Sequence, residues 1–160
     1  MNARKAARNG VAGLIVAGLV LAFVVGRQQT RAATPTEFCT LHFSGGVMLE
    51  GVPVAKTPEQ EARGLMHRDD AGPGMLFSWD KAEPRVFWMR NTRMPLSIGF
   101  MSADGTLFAI EDMQPNSDEY HFSQDPAQDA LELAQGDFSR RGLGVGSRLL
   151  RRECQDRNTY

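Results

Sequence analysis

The chain has 160 residues, of which 42% are hydrophobic, so one globular domain with a short appendage is expected. Its 18 basic and 19 acidic side chains are unevenly placed, because residues 1–33 hold five of the basic ones and no acid. The remaining domain has a net charge of −6, which argues against nucleic-acid binding, since that requires clustered Lys and Arg.

The N-terminus carries a targeting pattern. Met1–Gly10 holds three positive charges, and Val11–Gly26 is an unbroken run of apolar and glycine residues, as in a secretory signal. A helix over that run spans about 24 Å, less than the ~30 Å of a hydrocarbon layer, which favours a cleaved signal. Thr30 and Ala32 are small residues at the two positions that a signal peptidase recognises, but they lie several residues beyond the apolar run. We therefore predict that residues 1–26 are a hydrophobic helix acting as a signal peptide or a membrane anchor, and that the domain is periplasmic or otherwise extracytoplasmic.

Residues 27–36 are predicted to be a linker, followed by one globular β-rich domain over residues 37–156. The domain opens with two apolar segments, Phe38–Phe43 and Val47–Ala55, separated by a double-glycine turn. This pattern predicts a β-hairpin.

A short helix is predicted next. Thr57 is suited to cap it, Pro58 to occupy its first turn, and Gln60 stands three residues after Thr57 as in a capping box.

The remaining pattern is mostly of short strands. Asp104-Gly105 predicts a hairpin turn between Leu96–Met101 and Thr106–Met113. Further segments are predicted at Met75–Trp79, Val86–Met89, Ala130–Ala134 and Arg148–Cys154, with a helical turn at Asp137. About eight strands and two short helices favour an α+β fold, mainly antiparallel, in the form of a small mixed barrel or sandwich.

Ordered blocks in the middle of the chain resemble a known family. They are Arg63-Gly64-Leu65-Met66, Gly74-Met75-Leu76-Phe77, Phe87-Trp88-Met89-Arg90-Asn91-Thr92, Pro95-Leu96 and Leu131-Glu132-Leu133. Together, over residues 47–150, they resemble the domain of unknown function 192. The resemblance implies a compact, β-rich, often exported domain and brings no established activity. Two positions depart from the family pattern: Arg90 replaces the usual lysine, and Ser97 the usual aspartate.

Trp88, Arg90, Asn91 and Thr92 form the candidate binding region. Side chains alternate along a strand, so Trp88 and Arg90 are expected on one face as neighbours. An indole and a guanidinium can hold an anionic or saccharide-like ligand by stacking and by paired hydrogen bonds. The alternative is structural: Trp88 in the core, Arg90 paired with a carboxylate, and Asn91-Thr92 forming a turn.

Arg63 and Arg68 flank the end of the predicted helix. Cations there suit the helix dipole, which is a sufficient structural reason for both. If they converge with Arg90, the three form an anion pocket.

An enzyme is the competing interpretation. Asp104, Glu111 and Asp112 are the acids nearest the central hairpin, and either Glu111 or Asp112 shares a face with apolar neighbours. A central carboxylate of this kind would serve a hydrolase of the cell envelope. A structural or partner-binding module is the third alternative. The leading hypothesis is a non-enzymatic module that binds a small-molecule or envelope ligand.

No metal or cofactor is predicted, because the methionines and histidines show no ligand spacing. Cys39 and Cys154 are the only two cysteines and lie in the first and last predicted strands. In an exported domain such a pair is expected to form a disulfide. The alternative is two unpaired thiols, one buried and the other in a frayed C-terminal tail.

Overall fold

The computed structural model describes residues 33–156. The predicted hydrophobic helix at 1–26 and most of the linker at 27–36 lie outside the described residues. Among the residues described, no helix is both long enough and apolar enough to cross a membrane.

The described chain contains nine strands and two short α-helices, in an α+β arrangement. The strands are β1 Glu37–Phe43, β2 Met48–Ala55, β3 Met75–Glu83, β4 Val86–Phe87, β5 Leu96–Met101, β6 Leu107–Met113, β7 His121–Phe122, β8 Ala127–Ala134 and β9 Leu149–Asp156. The helices are α1 Pro58–Arg63 and α2 Asp137–Arg140, and a 3-10 turn at Ser44–Gly46 joins β1 to β2.

Seven strands form one mixed sheet in the order β6-β5-β8-β3-β2-β1-β9. Every neighbouring pair is antiparallel except β2 and β3, which run parallel because α1 and the loop after it carry the chain across between them. β4 and β7 form a separate two-stranded antiparallel sheet. The prediction of a mainly antiparallel α+β fold is confirmed.

The sheet is not closed into a barrel, so the barrel form of the prediction is wrong. β6 and β9 are the edge strands, and one isolated bridge, between Thr106 and Arg148, joins their ends. The loop before β9 takes the place of a continuous ladder: the backbone N–H of Leu107 donates to Ser147 O, and that of Gly146 donates to Leu107 O. The loop thereby occupies the position at which closure would require strand pairing.

Two hydrophobic clusters lie on opposite faces of the sheet. The central strand β5 is buried at all six positions, with Ile98 and Phe100 in one cluster and Met101 in the other. β1, β2 and α2 contribute to the Met101 cluster, while Leu65 and Met89 contribute to the Ile98 cluster. The Ile98 cluster borders the site described below.

The predicted capping box is present at the start of α1. The backbone N–H of Gln60 donates to Thr57 Oγ1 at 3.3 Å, and Gln60 Oε1 accepts from the backbone N–H groups of Lys56 and Thr57 at 2.9 and 3.3 Å. Pro58 is the first helical residue, as predicted. These bonds satisfy donors that a helix start otherwise leaves unpaired.

The predicted turn at Asp104-Gly105 is also confirmed. Gly105 has φ +82°, and a Cβ there would lie 2.4 Å from Leu149 O, so only glycine fits. Asp104 accepts hydrogen bonds from the hydroxyls of Ser102 and Thr106 and from the backbone of Thr106, which lower its pKa to about 2. The acid is thus explained by the turn.

Cys39 and Cys154 form the predicted disulfide. They face each other directly in the antiparallel ladder between β1 and β9, with Cα atoms 4.0 Å apart. The bridge therefore fastens the edge strand β9 to the sheet.

Candidate functional site

A cavity of about 350 Å³ opens to the surface on the face of the sheet that carries Ile98. α1 and the residues after it form one side, β3 the floor, and the chain around β4 and Tyr120 the other side. Five of its lining residues are aromatic: Phe77, Trp79, Phe87, Trp88 and Tyr120. We call this cavity the aromatic pocket. Its size is typical of a small-molecule site.

The aromatic rings pack against one another in two groups. Phe77 and Phe87 meet edge to face with centroids 4.9 Å apart, and Trp79 lies beside both. Trp88 and Tyr120 stack with centroids 6.1 Å apart. Tyr120 is 54% exposed, as is its neighbour Phe122, so the aromatic surface continues from the pocket to the exterior.

An arginine guanidinium lies over the ring of each tryptophan. The guanidinium of Arg90 lies 4.2 Å from the ring centroid of Trp88, and that of Arg85 lies 4.2 Å from that of Trp79. Arg90 Nε also donates to Asp118 Oδ1 at 2.7 Å. The predicted adjacency of Trp88 and Arg90 is therefore confirmed, and cation–π contacts hold both rings in place.

The predicted binding residues are divided by the structure. Arg63, Trp88 and Thr92 line the aromatic pocket, whereas Arg68, Arg90 and Asn91 do not. Asn91 has φ +56° and its carbonyl accepts from the N–H of His67, so it serves the turn. Arg90 is paired with Asp118, as the structural alternative for that residue required.

The three arginines therefore do not form an anion pocket. Arg63 is the one that reaches the cavity, from the last turn of α1. It is half-buried, and the described residues offer its guanidinium neither a hydrogen bond nor an ion pair. Its donors are available to a ligand.

Glu132 is the site residue that sequence reasoning missed. It lies on β8, is 4% exposed and lines the aromatic pocket. Burial raises its pKa to about 8. A Cβ at Gly74, which has φ +89°, would lie 2.3 Å from Glu132 O, so this glycine lets β3 begin directly against β8 at the acid.

The acids proposed for catalysis lie elsewhere. Glu111 Oε2 is 3.2 Å from Nδ1 of the buried His121. Asp112 accepts from Gln135 Nε2 at 3.0 Å and from Ser97 Oγ at 2.6 Å, and these bonds lower its pKa. Neither lines the aromatic pocket. The structure gives both acids structural partners.

Comparison with known proteins decides the family. The sequence pattern of the domain of unknown function 192, DUF192, described as an uncharacterized ACR, matches residues 43–150. The chain belongs to the DUF192 family. No curated protein matches it.

Two solved structures resemble this DUF192 domain. One, from Sinorhizobium meliloti 1021, is described as a candidate transcription regulator; it is 35% identical, covers 73% of this chain and 94% of its own, and has a TM-score of 0.65. The other, a protein of unknown function from Novosphingobium aromaticivorans DSM 12444, is 27% identical, covers 71% of this chain and 84% of its own, and has a TM-score of 0.64. Both support the fold and leave the activity open.

Ser97, where the resemblance implies an aspartate in relatives, lies on β5 and is buried against β6 and the start of α2. Its hydroxyl donates to Asp112 and accepts from the backbone N–H of Gly136 at 3.3 Å. The residue thereby joins three segments of the fold.

A cluster of potential metal ligands occurs once within residues 33–156, at Glu37, Cys39 and Cys154. The two sulfurs are bonded to each other, so they are not free to bind an ion.

Proposed function

We propose that this DUF192 domain is exported and binds a small, saccharide-like or anionic ligand in the aromatic pocket. The observation that carries the proposal is that both tryptophans of the chain, Trp79 and Trp88, line one cavity together with Arg63, whose guanidinium has no partner within residues 33–156. Proteins commonly bind small molecules in concave, largely apolar cavities with a few polar groups.

The wall chemistry supports this ligand class. On the side that its arginine does not cover, each indole can stack on the apolar face of a sugar ring, and the planar Arg63 can donate paired hydrogen bonds to a carboxylate or phosphate. Thr92 adds a buried polar group at the same wall. Arg90, which lies over Trp88, pairs with Asp118 at 2.7 Å. Arg85, which lies over Trp79, pairs with Glu83 at 3.7 Å. Arg63 is therefore the cation without a partner among the pocket-lining residues.

Export rests on the N-terminal pattern and on the disulfide. Disulfides persist mainly in oxidising compartments outside the cytoplasm, and Cys39 and Cys154 form one. Fusion of a reporter enzyme that is active only after export, placed after Tyr160, tests this part. An active fusion is expected, and a full-length but silent fusion contradicts export.

Thermal-shift screening of the full-length protein tests ligand binding. Cellobiose, glucuronate and inorganic phosphate represent neutral sugars, acidic sugars and simple anions. A bound ligand raises the apparent melting temperature by mass action. We expect at least one probe to do so in the wild-type protein and in Leu150→Ala, an exposed apolar control outside the pocket, but not in Trp88→Ala. Equal shifts in all three proteins contradict binding in the pocket.

An enzyme remains the second candidate, because Glu132 gives the pocket a buried acid with a raised pKa, as in many catalytic sites. The same lining also holds Thr92 and a second carboxylate, Glu61, but among the described residues no hydrogen bond joins either side chain to Glu132 as a nucleophile–base pair would require. Binding is therefore the function that the geometry supports best. Products released from an oligosaccharide by the wild-type protein but not by Glu132→Gln favour the enzyme.

The description of the Sinorhizobium protein does not lead us to propose a role in transcription for this chain. Beyond residue 33 the net charge is −6, which is unfavourable for binding nucleic acid, since that requires clustered Lys and Arg.

A further inference from the structure

Glu132 occupies an unusual place for an acid. β8 is a central strand, and Glu132 pairs with Met75 of β3 on one side and with Ile98 of β5 on the other, both buried apolar residues. The side chain lines the aromatic pocket. Nowhere in residues 33–156 does its carboxyl find a hydrogen bond or an ion pair. Because the residue lines the cavity, solvent or a ligand in the pocket is what remains to bond to its carboxyl.

We propose that Glu132 is a ligand-binding residue that keeps its proton in the empty pocket and donates a hydrogen bond to an acceptor oxygen of a neutral, saccharide-like ligand. This inference rests on the proposed function and narrows its ligand class. The ligand supplies the hydrogen-bond partner that the carboxyl lacks within the described residues.

The surroundings of Glu132 favour the protonated form. β3 contributes Phe77 and Trp79 to the pocket, β5 contributes no lining residue, and neither strand brings a charge there. α1 contributes Glu61 and Arg63, and the segment before β7 contributes Tyr120. Desolvation, with no compensating charge partner, raises the pKa of Glu132 to about 8. At neutral pH the group is therefore a donor.

The charges around the pocket favour a neutral ligand. Glu61 and Arg63 on α1 offset each other in formal charge. Guanidinium groups already lie against Trp79 and Trp88, so the indoles offer a weaker attraction to a further cation. An ammonium group would also have to displace the proton of Glu132. Neutral hydroxyl, ether and amide oxygens do not compete with the guanidinium groups at the indoles and do not require Glu132 to lose its proton.

The inference predicts the pH dependence of binding. The expected acceptor is an oxygen that cannot donate, such as a ring or glycosidic ether or an amide carbonyl. Protonated Glu132 can donate to such an oxygen, whereas ionised Glu132 can only accept and repels it. Affinity should be constant well below about pH 8 and fall about tenfold for each pH unit above it.

Three disaccharides of matched shape test the ligand class: cellobiose with hydroxyls, N,N′-diacetylchitobiose with amides, and chitobiose with amines. Calorimetric titration of the full-length protein at about pH 6 should show tighter binding of the first two than of chitobiose, whose amines are then charged. Tighter binding of chitobiose would overturn the inference, because it would make Glu132 a receptor for cations.

Two variants test the role of the proton. Glu132→Gln keeps a donor of the same shape and cannot ionise, so its affinity should stay constant up to about pH 9.5, where the wild-type affinity has fallen more than tenfold. Glu50→Gln, at an exposed position on β2, should behave as the wild-type protein.

The outcomes separate this inference from the proposed function. If the neutral disaccharides bind but their affinity is independent of pH and unchanged in Glu132→Gln, the inference fails and the proposed function stands. If no disaccharide binds the wild-type protein, the inference fails, and the proposed function then stands only if glucuronate or inorganic phosphate binds in the thermal-shift screen. A carboxyl ¹³C titration of Glu132 adds a test without ligand: an ionised carboxyl at about pH 7 contradicts the inference.

Discussion

At Glu132, one buried acid links the stability of the fold to pH. Its pKa is about 8 in the folded protein against an ordinary value of 4.5, so the folded state holds a proton that the unfolded state releases between these values. The stability that this proton contributes is fully present below the unfolded pKa and is lost as pH rises through the folded pKa.

Glu132→Gln should remove this loss. Between pH 4.5 and about 8, the free energy of unfolding of the wild-type protein should fall relative to that of the variant, by at most about 1.4 kcal/mol per pH unit. Urea denaturation at about pH 5, 7 and 9 measures the difference. Glu50→Gln is the control, and parallel profiles for all three proteins would contradict the assigned burial.

Arg152 gives a second test at the residue scale. It pairs with Asp129, whose side chain is 4% exposed, and donates to Ser78 Oγ at 2.8 Å. Arg152→Met leaves the buried carboxylate unpaired and should cost about 3–5 kcal/mol in urea denaturation. Arg151→Met is the matched control, because Arg151 is 62% exposed and should change stability by less than about 1 kcal/mol. Similar losses in both variants would contradict this burial difference.

Arg90 should matter little to the fold. Its pair with Asp118 is exposed, at 48% and 73% of the two side chains, so Arg90→Ala should cost no more than about 1 kcal/mol. Chemical denaturation of the variant checks this. A loss near the ~3–5 kcal/mol of a buried pair would instead make Arg90 a core support.

Sequence reasoning reached the site only in part. Trp88 and Arg90 are neighbours as predicted, but both follow the end of β4 at Phe87, so the strand period from which the prediction was made does not apply there. Glu132 was missed, although an acid between Leu131 and Leu133 is a visible signal of a buried charge. Its significance depends on β3 and β5 lying on both sides of β8, which no local pattern shows. The pairing of Arg90 with Asp118, 28 residues away, is equally non-local.

At the scale of elements, local signals predicted the hairpins and the helix start well. The β5–β6 hairpin and the capping box of α1 depend on residues close in sequence. β4 was predicted to run to Met89, but it ends at Phe87 because a turn follows, in which Thr92 N–H donates to Met89 O. β7 was missed because its two residues are too few for a period.

The disulfide should contribute strongly to holding β9. It closes a separation of 115 residues, for which the chain-entropy model gives about 4–5 kcal/mol. The double variant Cys39→Ser/Cys154→Ser should lose stability by about that amount in urea denaturation, because the unfolded chain gains freedom. Reduced wild-type protein should show the same loss. No loss in either sample would contradict a stabilising bridge.

At the scale of the molecule, the sequence predicts the class of fold but not its closure. Strand number and the lack of long crossover helices indicate an α+β, mainly antiparallel domain. Whether the edge strands meet depends on the loop of residues 142–147, which hydrogen-bonds to the start of β6. The aromatic pocket likewise depends on the assembled fold, since its walls come from α1, β3 and the chain from β4 to Tyr120.

Tryptophan fluorescence tests the central claim most directly, because the chain contains two tryptophans and both line the aromatic pocket. Titration of the full-length protein with cellobiose or N,N′-diacetylchitobiose should give a saturable change in emission, and Trp88→Ala should weaken the binding seen through Trp79. Leu150→Ala should titrate as the wild-type protein does. Emission that stays constant, or changes only linearly, with both disaccharides would contradict a saccharide-binding pocket.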